Sequence, residues 1–196
     1  MTEEAEYRRL SEMNMKRARE VIEATDVVNI WRGIGAEINL VGSLSMGLMC
    51  RHRDIDFHIY TSPLDKEESW LAMSRMAQKA GVRRIEYRDL TDTEEQCIEW
   101  HAWYDCGDGL MWQIDMIHMP KGSAYDGYFE RVADDVRKRL TPETRDTILR
   151  LKYETPETEK VMGIVYYKAV IQDGVRSYAD LLKWIAEHDT GGIVEW

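Results

Sequence analysis

The segment Asp54-Ile55-Asp56-Phe57-His58-Ile59-Tyr60 alternates strictly between two classes of side chain. Such alternation predicts a β-strand with one buried face, because successive side chains in a strand point to opposite faces. Ile55, Phe57 and Ile59 are therefore expected in the core. Asp54 and Asp56 share the opposite face, where two neighbouring negative charges destabilise a strand unless a cation lies between them. Mg²⁺ suits this position because it selects hard oxygen ligands.

A short motif, Val41-Gly42-Ser43, lies eleven residues before Asp54 at the end of another predicted strand. Glycine allows the backbone to approach a ligand closely, and Ser43 adds a hydroxyl and opens a turn or short helix through residues 44–48. Free amides at a helix start attract phosphate oxygens. Arg51 and Arg53 follow this turn, and each is either a counter-charge for phosphate or a solvated loop residue.

A third carboxylate, Asp115, occurs within the otherwise apolar segment Trp112-Gln113-Ile114-Asp115-Met116-Ile117. Its alternation predicts a strand that carries Gln113 and Asp115 on one face. A single aspartate inside such a strand is costly unless another group pairs with it. Asp115 is therefore a candidate partner for the first two aspartates.

These three motifs together resemble the signature of the DNA polymerase beta-like nucleotidyltransferase superfamily. That signature is a hydrophobic residue followed by Gly-Gly or Gly-Ser, then Asp-hydrophobic-Asp-hydrophobic, and later a strand with a third acid. The resemblance covers about residues 36–118. The size of the chain is similar to that of small members that modify lincosamides and aminoglycosides, although no motif fixes such a substrate.

The resemblance implies a magnesium-dependent nucleotidyltransferase with two Mg²⁺ ions. Asp54 and Asp56 would hold the ion that clamps a nucleoside triphosphate. All three aspartates, including Asp115, would share the ion that activates the acceptor hydroxyl. Pyrophosphate would leave, and a nucleoside monophosphate would be transferred to a hydroxyl of a small molecule.

Four further residues are candidate nucleotide ligands. By the resemblance, Gly42 and Ser43 would grip the β- and γ-phosphates of ATP or another triphosphate. Arg53 is a candidate phosphate contact from the preceding loop. The pattern of residues 158–172 predicts a helix, and its Tyr166, Tyr167 and Lys168 are candidates to line a pocket with Lys168 on phosphate. The competing interpretation is that this helix only packs against the sheet.

Several other residues admit a functional and a structural interpretation. His58 shares the face of Asp54 and Asp56, but a surface or hydrogen-bonded histidine is the more frequent case. Glu99 and His101 alternate on a strand expected beside Asp115, and either is a candidate general base for an acceptor hydroxyl, with a structural role as the alternative. The tryptophans at positions 100, 103 and 112 would suit a flat or apolar acceptor if they face the cleft.

The order of predicted elements indicates an α+β nucleotidyltransferase fold, with a mixed β-sheet flanked by helices and a helical C-terminal extension. Residues 1–120 are the predicted catalytic core and residues 121–196 the helical subdomain. The predicted strands are 37–41, 54–60, 82–88, 95–104 and 110–118. The predicted helices are 4–24, 62–79, 124–140, 142–152, 158–172 and 178–188.

The composition favours a folded protein of the cytoplasm. Apolar residues make up 44% of the chain and charged residues 32%, and the three cysteines have no paired spacing. The net charge of −10 opposes general binding to nucleic acid. No apolar run has the length needed to span a membrane. These observations leave the oligomeric state open.

Two alternatives to small-molecule modification remain from the sequence. One is a transferase that modifies a protein or an RNA end, as members of toxin–antitoxin systems do. The other is a regulatory module that keeps the fold and binds a nucleotide without turnover. Mg²⁺-dependent binding and release of pyrophosphate distinguish the last alternative from an enzyme.

Overall fold

The protein is built on one five-stranded β-sheet, seen in a computed structural model that describes residues 3–191 and 195–196. The strands lie in the order β1-β2-β5-β4-β3. Only β2 and β5 run parallel among the paired strands, so the sheet is mixed, as predicted. The strand bounds are β1 Glu37–Leu40, β2 Asp54–Thr61, β3 Val82–Leu90, β4 Cys97–Asp105 and β5 Met111–Pro120.

Helices surround this sheet, and the predicted α+β class with a helical C-terminal part is confirmed. The first four are α1 Glu3–Thr25, α2 Val27–Arg32, α3 Gly42–Ser45 and α4 Lys66–Ala77. The later helices are α5 Tyr128–Arg139, α6 Pro142–Glu154, α7 Gly163–Tyr167 and α8 Tyr178–Glu187. A π-helical turn, Lys168–Gln172, continues α7.

The main core lies between one face of the sheet and the helices α1, α2 and α4. Ile55, Phe57 and Ile59 are buried there, as the alternation predicts. Ile114 of β5 and Trp31 of α2 pack in the same cluster. Because this face takes every second residue of β2 and β5, the aspartates of both strands are directed to the other face.

A second apolar core joins the C-terminal helices to the loop that follows α3. Met46 and Leu48 pack among residues of α5, α6, α7 and α8, including the buried Val136 and Leu151. The helical part therefore lies over the segment that leads from the Gly-Ser motif into β2. It forms the second wall of the cleft above the aspartate-bearing face.

The region predicted as one helix from 158 to 172 has a different structure. Residues near Pro156 form a turn, α7 begins only at Gly163, and the chain turns π-helical at Lys168. In this turn the Asp173 amide donates to the Lys168 carbonyl, five residues back. A regular 3.6-residue pattern therefore does not describe residues 168–172. Helix α2 was not predicted.

Helix α1 contacts both walls of the cleft. The Tyr7 hydroxyl donates to Asp146 of α6 at 2.8 Å, and Arg8 forms an ion pair with the same carboxylate. Two turns further along the helix, Arg17 pairs with Asp108 in the β4–β5 hairpin at 2.9 Å. One rigid element thus connects the sheet to the helical layer.

Among the residues that the structure describes, no helix combines the length and the apolar character that crossing a bilayer requires.

His118 is a buried histidine in the main core, at the far end of β5 from the hairpin. Its ring contacts the hydroxyls of Thr61 and Ser69 and lies edge-on to Trp31. Burial lowers the pKa of His118 to about 4, while the nearby Asp65 charge opposes this shift. The imidazole is therefore neutral in the native protein at pH 5 but charged in the unfolded chain.

We predict that His118 makes the protein less stable as pH falls from about 6.5 toward 4. In this range the unfolded chain binds a proton that the native protein does not. Between pH 7 and pH 5 the wild type should lose about 2 kcal/mol more free energy of unfolding than His118→Gln. Urea denaturation at pH 7, 6 and 5 measures this difference. Equal pH slopes in the two proteins would contradict the prediction.

Candidate active site

The three predicted carboxylates meet on the cleft face of the sheet. In the parallel pair of β2 and β5, Asp56 lies directly opposite Asp115, and Asp54 lies opposite Gln113. Neighbouring strands are about 4.8 Å apart, and residues two apart in one strand are about 7 Å apart. The alternation and the pairing register together therefore bring all three acids to one place.

Asp56 is the acid most affected by this convergence. Burial raises its pKa well above the usual range for a carboxyl, and the charges of Asp54 and Asp115 raise it further. Lys152 opposes the shift. A divalent cation at this point would offset both the burial and the repulsion, and the oxygen donors fit Mg²⁺. The local chemistry therefore agrees with the ion that the motif implies.

Gly42 is held against the Asp56 carboxylate. A Cβ atom at position 42 would lie 1.9 Å from Asp56 Oδ2, and the backbone φ of 65° is one that side chains rarely adopt. Both observations require glycine. Ser43 follows at the start of α3 and lines the same cavity.

Asp115 is oriented by two neighbours that were not predicted to act together. His101 Nδ1 donates to Asp115 Oδ1 at 2.5 Å, and Gln113 Nε2 donates to the same oxygen at 2.8 Å. The hydrogen bond to Asp115 is the main reason that the pKa of His101 is raised. Glu99, the other general-base candidate, instead pairs with Arg88 at 3.4 Å.

No group of three His, Cys, Asp or Glu side chains is gathered into a finished ion site in residues 3–191 and 195–196. Mg²⁺ is commonly bound by one or two carboxylates, with substrate phosphates and water completing its shell. The arrangement of Asp54, Asp56 and Asp115 suits such a shared shell, in which a triphosphate brings the remaining oxygens.

The acids open into a cavity of about 940 Å³ between the sheet and the helical layer. This volume is within the range of small-molecule sites. Four basic residues also line it, and they are Arg51, Arg53, Lys152 and Lys160. They are matched in number by the acidic lining residues, which are the three aspartates and Glu157. The cleft is therefore much less acidic than the whole chain.

Lys152 is the basic residue that the fold holds most firmly. Its Nζ donates to the Leu48 carbonyl at 3.0 Å and to the Tyr167 hydroxyl at 3.1 Å. Burial alone would lower the pKa of Lys152, but Tyr167 and the Asp54 carboxylate outweigh it, so the pKa is raised. The ammonium is therefore charged at neutral pH.

Lys168, predicted as a nucleotide ligand, lies apart from the residues that line the cavity. Its Nζ donates to the Glu195 carbonyl at 2.8 Å, and the residue is absent from the cavity lining. Tyr166 and Tyr167, predicted with it, do line the cavity. Arg53 also lines it, and its buried Nε has no hydrogen-bond partner among the described residues.

His58 is neither exposed nor hydrogen-bonded through its buried Nδ1. The residue is 7% exposed and lines the cavity, and Nδ1 has no partner in the part of the chain that the structure describes. Its ring packs edge-on against Phe129 of α5, with the ring centroids 4.7 Å apart. Burial lowers the pKa of His58 to about 4. A buried unpaired nitrogen costs roughly 1–3 kcal/mol, so a hydrogen-bonding ligand here would recover free energy.

Of the three tryptophans considered as cleft residues, only Trp103 lines the cavity. Trp100 and Trp112 are fully buried in the main core. Trp103 lies opposite Gln113 on β5, and the Arg84 guanidinium lies 3.5 Å above its ring. Successive residues of a strand face opposite sides of the sheet, so the position of each tryptophan in its strand decides whether it faces the core or the cavity.

Lys152 and the α5 residues Tyr128 and Phe129 were missed by the sequence analysis. The signal for Lys152 lies in helix periodicity, since it follows the buried Ile148 by four residues and Leu149 by three. A lysine on the apolar stripe of a helix needs a charged or polar partner. The two aromatic residues carry no such signal, because aromatic side chains on a helix are ordinary core residues.

Comparison of the sequence finds no relatives, since neither a protein-family model nor a curated protein matches the chain.

Comparison of the structure finds similar folds among RNA-modifying nucleotidyltransferases. The Cid1 poly(U) polymerase bound to MgGTP aligns with a TM-score of 0.58 at 15% identity, over 81% of this chain and 49% of the polymerase. A cytoplasmic RNA terminal U-transferase aligns with a TM-score of 0.54 at 13% identity, over 81% of this chain and 47% of that protein. The chain spans about half the length of these structures. Their names do not support the resemblance to lincosamide-modifying members, but the likeness shows that this chain has the nucleotidyltransferase fold.

Proposed function

We propose that this protein is a Mg²⁺-dependent nucleotidyltransferase that moves a nucleoside monophosphate from a nucleoside triphosphate to an acceptor hydroxyl. The observation that carries the proposal is the convergence of Asp54, Asp56 and Asp115 on a cavity wall beside Gly42. A buried cluster of like charges is costly to the fold, and a cation is the simplest reason for a protein to hold one.

The residues that line the cavity would have different roles in the reaction. Asp54, Asp56 and Asp115 would hold magnesium, which when bound neutralises phosphate charge and acidifies the acceptor hydroxyl. We propose two ions, as the resemblance implies. His101 and Gln113 keep the Asp115 carboxylate in a fixed orientation.

The triphosphate would lie between the two walls of the cleft. Gly42 allows the backbone at the start of α3 to approach it, and Ser43 supplies a hydroxyl. Lys152 and Arg53 line the cavity and would face the phosphates. A charged lysine in a partly buried site stabilises phosphate strongly, because water screens the interaction little.

We further propose that residues 1–120 act as the catalytic core and residues 121–196 as the part that closes the nucleotide site. The core supplies the aspartates and the Gly-Ser motif. The helical part supplies Lys152, Tyr166 and Tyr167. Neither part alone would contain a complete site.

The acceptor that we propose is a hydroxyl of a small molecule. The net charge of −10 opposes a long polyphosphate chain, whereas the balanced charges of the cleft accept a compact substrate. A second candidate is the 3′ end of an RNA, and the likeness to a poly(U) polymerase and an RNA terminal U-transferase favours it.

The function is tested by measuring transfer of label from each triphosphate, labelled on its α-phosphate, in the presence of Mg²⁺. The acceptors are an RNA oligomer and a panel of aminoglycosides and lincosamides. We expect pyrophosphate and a labelled small molecule; label in the RNA would select the second candidate. Asp54→Asn/Asp56→Asn should lose both nucleotide binding and transfer, while Asp92→Asn in an exposed loop should lose neither. Metal-independent nucleotide binding would exclude the proposal.

The same carboxylates predict an effect on stability without substrate. Asp56→Asn removes one charge from the cluster, so it should raise the free energy of unfolding in metal-free buffer by about 1 kcal/mol. It should also abolish any stabilisation by Mg²⁺ with triphosphate. Thermal unfolding with and without ligand measures both effects. A less stable metal-free variant would argue against repulsion within the cluster.

Gly42→Ala should displace the Asp56 carboxylate and thereby weaken Mg²⁺-dependent nucleotide binding at least tenfold, the equivalent of about 1.4 kcal/mol. Gly122→Ala is its matched control. Gly122 also has a positive φ, but a Cβ there meets nothing within 4 Å. Both variants share the cost of backbone strain, so calorimetric titration isolates the clash. Equal loss of affinity in the two variants would show that backbone strain alone matters.

Lys152→Met and Lys168→Met test which lysine serves the phosphates. We expect Lys152→Met to lower triphosphate affinity roughly tenfold or more, because a charged hydrogen bond is worth about 1.5–3 kcal/mol. Lys168→Met should leave affinity unchanged, because its ammonium pairs with a carbonyl outside the cavity. Urea denaturation of both variants controls for loss of structure. The reverse ranking would restore Lys168 to the site.

A further inference from the structure

The cavity has one uncharged side, which the proposed roles of its residues leave unexplained. The α5 residues that line it are Tyr128, Phe129, Val132 and Ala133, none of which is charged. They lie on one face of the helix, since they are spaced by one turn. Contacts of Tyr60 with Glu130 and with the Gly127 amide fix the start of α5 against β2.

His58 is the polar residue of β2 that faces this side. Its ring lines the cavity and lies edge-on to Phe129 at 4.7 Å. It is more than nine-tenths buried, and its Nδ1 has no hydrogen-bond partner among the described residues. A nearly apolar surface with one unused hydrogen-bonding atom suits a flat ring that carries a few polar groups.

The distribution of charge separates the two ends of a nucleotide. The cationic lining residues belong to elements other than α5, with Lys152 on α6, Lys160 in the loop before α7, and Arg51 and Arg53 in the loop before β2. A phosphate in the uncharged side would lose water without gaining a counter-charge, which is costly. A base would lose little water there, because its faces are apolar.

The spacing along β2 agrees with this division. His58 follows Asp56 by two residues on the same face, a distance of about 7 Å. A ribose spans a gap of this order between the reacting phosphate and its base. The phosphate would then lie at the aspartates while the base lies beside His58.

We propose that His58, with Phe129, forms the nucleobase subsite and that the His58 imidazole selects among bases by hydrogen bonding to the base edge. This inference rests on the proposed function, because it assumes that the cavity binds a nucleoside triphosphate. It makes His58 a specificity-determining residue that takes no part in the transfer step.

The test is calorimetric titration of ATP, GTP, CTP and UTP, each with Mg²⁺, into four proteins. These are the wild type, His58→Phe, His58→Asn and the control His188→Phe. Phenylalanine keeps a ring without nitrogen, and asparagine keeps a polar atom near the position of Nδ1. His188 lies at the end of α8, where its ring nitrogen contacts the Trp184 carbonyl, and it is absent from the cavity lining.

We expect the wild type to bind the four triphosphates with affinities that differ by roughly five- to tenfold, the effect of one hydrogen bond. His58→Phe should bind all four with nearly equal affinity and keep its requirement for Mg²⁺. His58→Asn and His188→Phe should keep the wild-type order. If His58→Phe does not fold, His58→Leu, which also lacks the nitrogen, replaces it.

The outcomes separate this inference from the proposed function. An unchanged order in folded His58→Phe, or equal affinities in the wild type, would overturn the role of His58 and leave the enzyme proposal standing. Loss of all Mg²⁺-dependent binding in folded His58→Phe would also overturn it, because the phosphate side should remain intact. A folded wild type that binds none of the four triphosphates would overturn both.

Discussion

The parallel pairing of β2 with β5 is the constraint on which the rest of the molecule depends. It sets Asp56 opposite Asp115 and gives Asp54 a neutral neighbour in Gln113. A shift of one residue in this register would direct the aspartate of one strand into the core. The apolar residues between the acids, such as Ile55 and Ile114, prevent such a shift because they are fully buried. The hydrophobic core thus holds the like charges together.

The three neighbouring aspartates repel one another, and the residues around them fit closely against these carboxylates or offset their charge. Glycine is the only residue type that fits at position 42, because a Cβ atom there would overlap the Asp56 carboxylate. His101 and Gln113 both donate to Asp115, and the buried ammonium of Lys152 lowers the cost of ionising Asp56. The local field around the aspartates therefore differs from that of the protein as a whole. A net charge of −10 therefore does not by itself exclude the proposed binding of an anionic nucleotide in the cleft.

The sequence predicts the strand-borne part of the site better than the helix-borne part. A period of two assigns each strand residue to a face without ambiguity, and Asp54, Asp56 and Asp115 follow from it. A helix assignment depends on where the helix begins and on whether its turns are regular. The predicted helix 158–172 differs from the structure on both counts, because α7 begins at Gly163 and the next turn is π-helical. Lys152 was detectable from its apolar neighbours, whereas the burial of His58 depends on α5, which is distant in sequence.

The double attachment of α1 has a consequence for how far the two walls of the cleft can separate. Asp146 ties its first turns to the helical wall, and Asp108 ties its middle to the sheet hairpin. Helix α1 thus connects the two walls of the cleft at a fixed distance. A hinge-like separation of the walls would break the ion pair with Asp146 or the ion pair with Asp108. Each of these exposed ion pairs contributes at most about 1 kcal/mol, so α1 restrains the separation of the two walls without forbidding it.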